Sequence, residues 1–342
     1  MNQEKIEFAK KMMQTVGNYT FTAYTILSAV LLIFVFLSYI RNEKKDEKIS
    51  EYLTYTISGL FLLTYFLIMW FHYQIYLYLP LELSEKGVNL FNKWLPQAVP
   101  QIEPFVYLDY ANPLRYKIPL WIENERLFCW FLCYSIFAVL INLKSKKTKF
   151  KATINLFLAL QIFLLYFTSN PFVDPLKKFF GELTPFINAP DEVRIRMIFQ
   201  LYPRMKFYYN AFYMWLHPPM LFLAYASLTV TFISSLFMFG SRDKEYEKTG
   251  YTYAKLGYIL LTAGMLVGYP WAIEAWGENW WWDPKICASI MMWLFYSAYL
   301  HIRIYSYKDK MWYFSAILGV LCYASLVFTY VMSYYFKGEH TF

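Results

Sequence analysis

Apolar residues in this chain gather into long blocks separated by short charged links, and a block of about 20 such residues is what a membrane-crossing helix requires. Eight blocks predict eight spans, at Thr20–Ile40, Tyr52–Tyr78, Leu127–Leu143, Ala152–Thr168, Met220–Phe239, Leu256–Tyr269, Cys287–Leu300 and Trp312–Tyr335. The sixth and seventh are short for a full crossing. The predicted class is an all-α integral membrane protein.

Lysine and arginine in short loops mark the cytoplasmic side. Arg41, Lys44, Lys45 and Lys48 follow span one, and Lys144, Lys146, Lys147, Lys149 and Lys151 follow span three. Arg242, Lys244 and Lys248 follow span five, and Arg303, Lys308 and Lys310 follow span seven. These four links alternate onto one side. The long segments Leu79–Arg126 and Ser169–Tyr213 are then placed outside, with both termini. Their prolines and aromatics, as at Pro96, Pro100, Pro104, Pro113 and Pro119, suit short interfacial helices and turns. The expected location is a bacterial-type inner (plasma) membrane, with the working face extracytoplasmic.

Composition agrees with this layout. The 342 residues are 58% hydrophobic and 16% charged, against about a quarter charged in soluble domains. The net charge of +8 reads as inside-facing loops rather than nucleic-acid binding. Aromatics reach 23% while glycine numbers only 12, which argues against a bundle packed through small residues. The first apolar run is of full membrane length and lacks a small-residue cleavage site, so it is not read as a signal peptide. Cys129, Cys133, Cys287 and Cys322 form no Cys-x-x-Cys pair, and buried inert thiols are expected.

Between spans six and seven stands Ala275-Trp276-Gly277-Glu278-Asn279-Trp280-Trp281-Trp282-Asp283-Pro284-Lys285. Interfacial belts also use tryptophan, but they spread it over many helix ends. Crowding in one connection equally suits a rigid apolar platform for a flat aromatic ligand. Asp283 followed by Pro284 predicts a helix start, with Asp283 as the N-cap more than as an acid catalyst.

The chain has four histidines. His217, in His217-Pro218-Pro219-Met220, precedes span five, and its prolines read as another helix start that leaves the imidazole at the outer rim. His340 follows span eight. Each alone is ordinary, but both fall on the side of the tryptophan cluster, and haem needs an apolar bed with axial nitrogen ligands. His301 closes span seven about 20 Å deeper at 1.5 Å per residue, where an ionisable group points to function. His72, late in span two, is a further candidate ligand, but in straight helices it lies too far from His301 in depth to share one iron.

At these residues the chain resembles the haem-handling family of cytochrome c maturation, the CcsA, CcmF and CcmC group. The family signature Trp-Gly-x-x-Trp-x-Trp-Asp-Pro is met by Trp276, Gly277, Trp280, Trp282, Asp283 and Pro284. Trp293, Tyr299, Leu300 and His301 also fit the family pattern on the C-terminal side of that signature. His217-Pro218-Pro219-Met220 with Tyr225, and Thr168-Ser169-Asn170-Pro171-Phe172, are similar to stretches of the CcmF branch. The likeness runs from about Pro113, with a weaker match from Pro113 to Trp130. It divides the chain into an unassigned two-helix region with its outer loop, 1–112, and a haem-handling membrane domain, 113–342, containing the Trp-rich loop 271–286.

The resemblance implies roles. His217 and His340 would be the axial ligands of an outer-face haem b over a surface formed by Trp276, Trp280, Trp282 and Asp283. His301 would ligate a second, structural haem or line a haem route. Family members carry glutamate where this chain has Ile286, and the match at His340 rests on its position. CcmF-type proteins continue past the point where this chain ends, at Phe342, and carry a further transmembrane histidine there. The expectation is a compact CcsA-like form, or completion by a second membrane subunit.

The implied activity is haem lyase (holocytochrome c synthase) work, in which the thiols of an apocytochrome c Cys-x-x-Cys-His segment add to the haem vinyl groups. Two rivals stay open: a haem carrier or export module serving a separate haem chaperone, and a b-type membrane redox protein. The last usually pairs its ligands at helical spacing within spans, unlike these scattered histidines.

Overall fold

The structure is a computed structural model that describes residues 3–41, 43–186, 189–278, 280–305 and 309–336. His340, one of the expected axial ligands, lies outside the described residues. Twelve α-helices are described: α1 (Gln3–Met12), α2 (Asn18–Ile40), α3 (Lys44–Tyr78), α4 (Glu85–Ala98), α5 (Glu125–Lys144), α6 (Thr148–Thr168), α7 (Lys177–Leu183), α8 (Asp191–Arg204), α9 (Tyr213–Gly240), α10 (Lys244–Trp276), α11 (Pro284–Arg303) and α12 (Asp309–Tyr335). The two short strands, β1 (Pro80–Leu81) and β2 (Leu114–Arg115), pair antiparallel.

Among the described residues eight helices are long and apolar enough to cross a membrane, one for each predicted block, and the chain is an all-α, multi-pass integral membrane protein. Most run past their apolar blocks. The sixth, predicted at Leu256–Tyr269, extends over Lys244–Trp276, because backbone bonding continues through polar turns once an end is capped. Asp243 supplies that cap, accepting from the Glu245 N–H at 2.8 Å. The Lys147 ammonium beside it holds the Asp243 carboxyl below the usual carboxylate range, so the cap stays ionised.

The chain forms two compact units. The first comprises Met1–Ala23, Leu60–Phe128 and Tyr166–Trp215. Its interior is a lattice of edge-on rings: Phe21 and Phe128 both meet Phe172, at 5.8 and 5.7 Å, and Phe128 meets Phe61 at 4.6 Å. A β-carbon at Gly17 would stand 2.2 Å from the Phe172 ring, so glycine is required where helix and ring meet. Short helices occur in the two long connecting segments, α4 in one and α7 and α8 in the other. Helix α4 packs on α8 through Phe91 stacked on Phe199 at 4.8 Å. Asn92 clamps Leu108 by accepting its N–H at 2.9 Å and donating to its carbonyl at 2.8 Å.

The second unit comprises Tyr24–Gly59, Cys129–Leu165 and Leu216–Phe342. Lys151 is buried between Glu47 and Glu51, and Arg303 pairs with Glu247, so several link charges are neutralised locally. Here the expectation from glycine scarcity needs correction. Gly257, Gly264 and Gly268 of α10 lie where added β-carbons would meet α9 at 2.8, 2.9 and 2.5 Å, on Leu228, Leu221 and His217. Few glycines suffice when they share one contact, because backbones can then approach closely.

Candidate functional site

In the second unit, His217 stands inside α9 rather than ahead of it. The helix starts at Tyr213, and Pro218 and Pro219 lie within it, so the prolines do not mark its first turn. The imidazole Nδ1 is 2.7 Å from the Gly264 carbonyl. A carbonyl only accepts, so Nδ1 carries the proton and donates, which leaves the Nε2 lone pair for a ligand. A protein acceptor behind the ring is how metal-binding histidines are commonly oriented.

Glycine makes this placement possible. A β-carbon at Gly268 would fall 2.5 Å from Nδ1 and 2.6 Å from Cε1 of His217. Both contacts are closer than real β-carbons tolerate, so any larger residue displaces the ring.

From His217 an aromatic series leads to the tryptophan motif. The imidazole stacks on Trp271 at 6.3 Å and 28°, and Trp271 meets Trp276 edge-on at 4.7 Å and 69°. Helix α10 ends at Gly277, whose φ of +75° is a conformation that glycine adopts without strain. Trp280 turns back against Tyr269 at 5.2 Å. Trp281 and Trp282 stack on each other at 4.1 Å, exposing 45% and 65% of their surfaces. The tryptophans thus form two groups: Trp276 and Trp280 against the end of α10, and an exposed pair.

Asp283 is buried and caps α11, accepting from Lys285 N–H at 3.0 Å and Ile286 N–H at 3.3 Å, with Pro284 in the first turn. The local reading of Asp-Pro therefore holds. Replacing Asp283 with alanine should cost about 1 kcal/mol, typical of a lost N-cap, measurable as a lowered melting midpoint of the purified protein in detergent. Asp283→Asn, which keeps an acceptor, should recover most of the loss.

His301 is exposed on the last turns of α11, its Nδ1 2.7 Å from the Ser297 carbonyl. The Ser297 hydroxyl pairs with Tyr258 at 2.9 Å, and the Tyr258 ring stacks on Trp293 at 5.6 Å. The Trp293 that accompanied the signature thus belongs to an α10–α11 contact next to His301. Cys129 and Cys322 are buried, Cys133 is half-buried, and Cys287 is exposed with its thiol 3.3 Å from the Trp281 carbonyl.

His72 belongs to the first unit and is buried there. Its Nδ1 donates to the Ile118 carbonyl at 3.0 Å, and its Nε2 lies 2.8 Å from Glu125. Both ring nitrogens are engaged, so binding iron would require giving up one of these bonds. Sequence reasoning missed Gly264, Gly268, Trp271 and Glu125. For the glycines a signal existed: Gly250, Gly257, Gly264 and Gly268 are spaced by seven, seven and four, which keeps them near one helix face.

A model of the family described as "Cytochrome C assembly protein" matches residues 120–340. The cytochrome c biogenesis protein CcsA of Prochlorococcus marinus (strain MIT 9301) is 47% identical over 64 residues, 19% of this chain and 21% of that protein. The CcsA of Synechococcus sp. (strain WH7803) is 44% identical over 64 residues, 19% of this chain and 20% of that protein. The matched segments thus span only about a fifth of these relatives' own length. A solved structure titled "Cytochrome c Heme Lyase CcmF" superposes with a TM-score of 0.61 at 17% identity, covering 93% of this chain and 46% of that one. That likeness is one of fold. With the family model spanning well over half of its residues, the chain belongs to the cytochrome c assembly protein family.

Proposed function

We propose that this protein holds haem b as a substrate at the extracytoplasmic face and supports its covalent attachment to an apocytochrome c, as a haem lyase component. The observation that carries this reading is the His217 imidazole, oriented by the Gly264 carbonyl and stacked on Trp271 in contact with Trp276. The donor set suits haem: a neutral imidazole with a fixed tautomer supplies one axial nitrogen, and indole surface supplies the apolar bed. His340 is the proposed second axial ligand. His301, with Nε2 left as its acceptor, is proposed to serve a second haem or a haem route.

The partner is an apocytochrome c with a Cys-x-x-Cys-His segment, and a second membrane subunit or haem chaperone fits the same scheme. In the reaction each thiol S–H adds across a vinyl C=C, so no atom leaves. The protein's contribution is to position the reactants and exclude water. Coexpression of this chain with an apocytochrome c tests the reading by haem staining on a denaturing gel. Covalent product that depends on the chain supports lyase work. Haem passed on without covalent product indicates the carrier, and the absence of both rejects the proposal.

A further inference from the structure

The two prolines after His217 create a backbone problem. In an α-helix the Met214 carbonyl accepts from the N–H of residue 218, and Pro218 has none. Helix α9 nevertheless begins ahead of them, with Met214 N–H bonded to Ala211 O at 3.2 Å and Trp215 N–H to Phe212 O at 3.0 Å. The missing donor comes from elsewhere. The indole N–H of Trp121 reaches the Met214 carbonyl at 2.5 Å, and the Trp121 ring packs edge-on against Trp215 at 5.6 Å.

Trp121 is itself held from both sides. It is buried, and three residues before it the Ile118 carbonyl accepts from His72. Four residues after it, buried Glu125 takes the other nitrogen of the same imidazole. Between them, Glu123 adopts a φ of +51° and its carboxylate accepts the N–H groups of Lys178 and Phe179 at 3.1 and 3.0 Å. The loop that presents the indole is thus pinned at 118, 123 and 125.

We propose that Trp121 is a positioning residue for His217: its indole N–H replaces the backbone donor that Pro218 lacks, and the buried His72–Glu125 pair fixes the loop that carries it. This rests on His217 being a haem ligand. It gives His72 the task of a brace and makes the His-Pro-Pro turn dependent on one indole.

A double-mutant cycle on the full chain in detergent tests it, because Pro218→Ala restores the missing N–H. Trp121→Phe keeps an aromatic ring beside Trp215 and removes the donor. Amide exchange in a peptide covering 212–220 should then rise about tenfold, the effect of leaving a buried carbonyl unpaired. Haem affinity should fall by a similar factor. In the Pro218→Ala background the same change should cost less than about threefold on both measures, since the new N–H holds the turn. Equal losses in both backgrounds overturn the proposal. So does an unchanged haem affinity in Trp121→Phe when His217→Ala abolishes binding. If His217→Ala leaves binding intact, the ligand reading fails instead, and the exchange data alone then decide whether Trp121 substitutes for the Pro218 donor.

Discussion

Gly268→Ala should weaken haem binding by about 10–100-fold, the range found when the groups that orient a metal-bound histidine are disturbed, while leaving the helix intact. The two effects separate because alanine is the better helix former, by up to about 1 kcal/mol per residue. Its β-carbon would stand 2.5 Å from His217 Nδ1, so the ring must swing away from the Gly264 carbonyl and lose its fixed tautomer. Haem titration followed at the Soret band, alongside far-ultraviolet circular dichroism, checks both halves. Lost helicity with retained haem would show that the glycine serves packing alone.

His217→Ala should abolish covalent cytochrome c formation in the coexpression assay, and imidazole added to the growth medium should restore part of it. A small free ligand can occupy the space left by the side chain, whereas it cannot repair a misfolded helix. Trp271→Leu should act in the same direction but less severely, because it removes the ring stacked on the imidazole and leaves the nitrogen. The yield of haem-stained product across the three proteins gives the order: wild type, then Trp271→Leu, then His217→Ala.

How much of this was legible in the sequence depends on how local each cause is. The eight spans follow from apolar block length, and the Asp283 cap follows from two adjacent residues, so both were readable. The His217-Pro218-Pro219 turn was not. Prolines ordinarily open a helix, and the indole that lets this one start earlier lies 93 positions before the carbonyl it serves. The Gly264 carbonyl is likewise 47 positions from the histidine it orients. His72 looked like a spare ligand because its partners, Ile118 and Glu125, come from a segment with no motif of its own. The tryptophan motif was visible as a cluster, yet its division into a packed group and an exposed pair depends on how α10 ends at Gly277.

The proposed function requires that His217 bind haem iron through Nε2. The most direct measurement is the optical and resonance Raman spectrum of the haem-loaded protein, wild type against His217→Cys. Exchange of an imidazole for a sulfur ligand changes the iron's electronic structure, so the variant should show a shifted Soret band and altered iron spin-state markers. A variant that binds haem with the wild-type spectrum would contradict it.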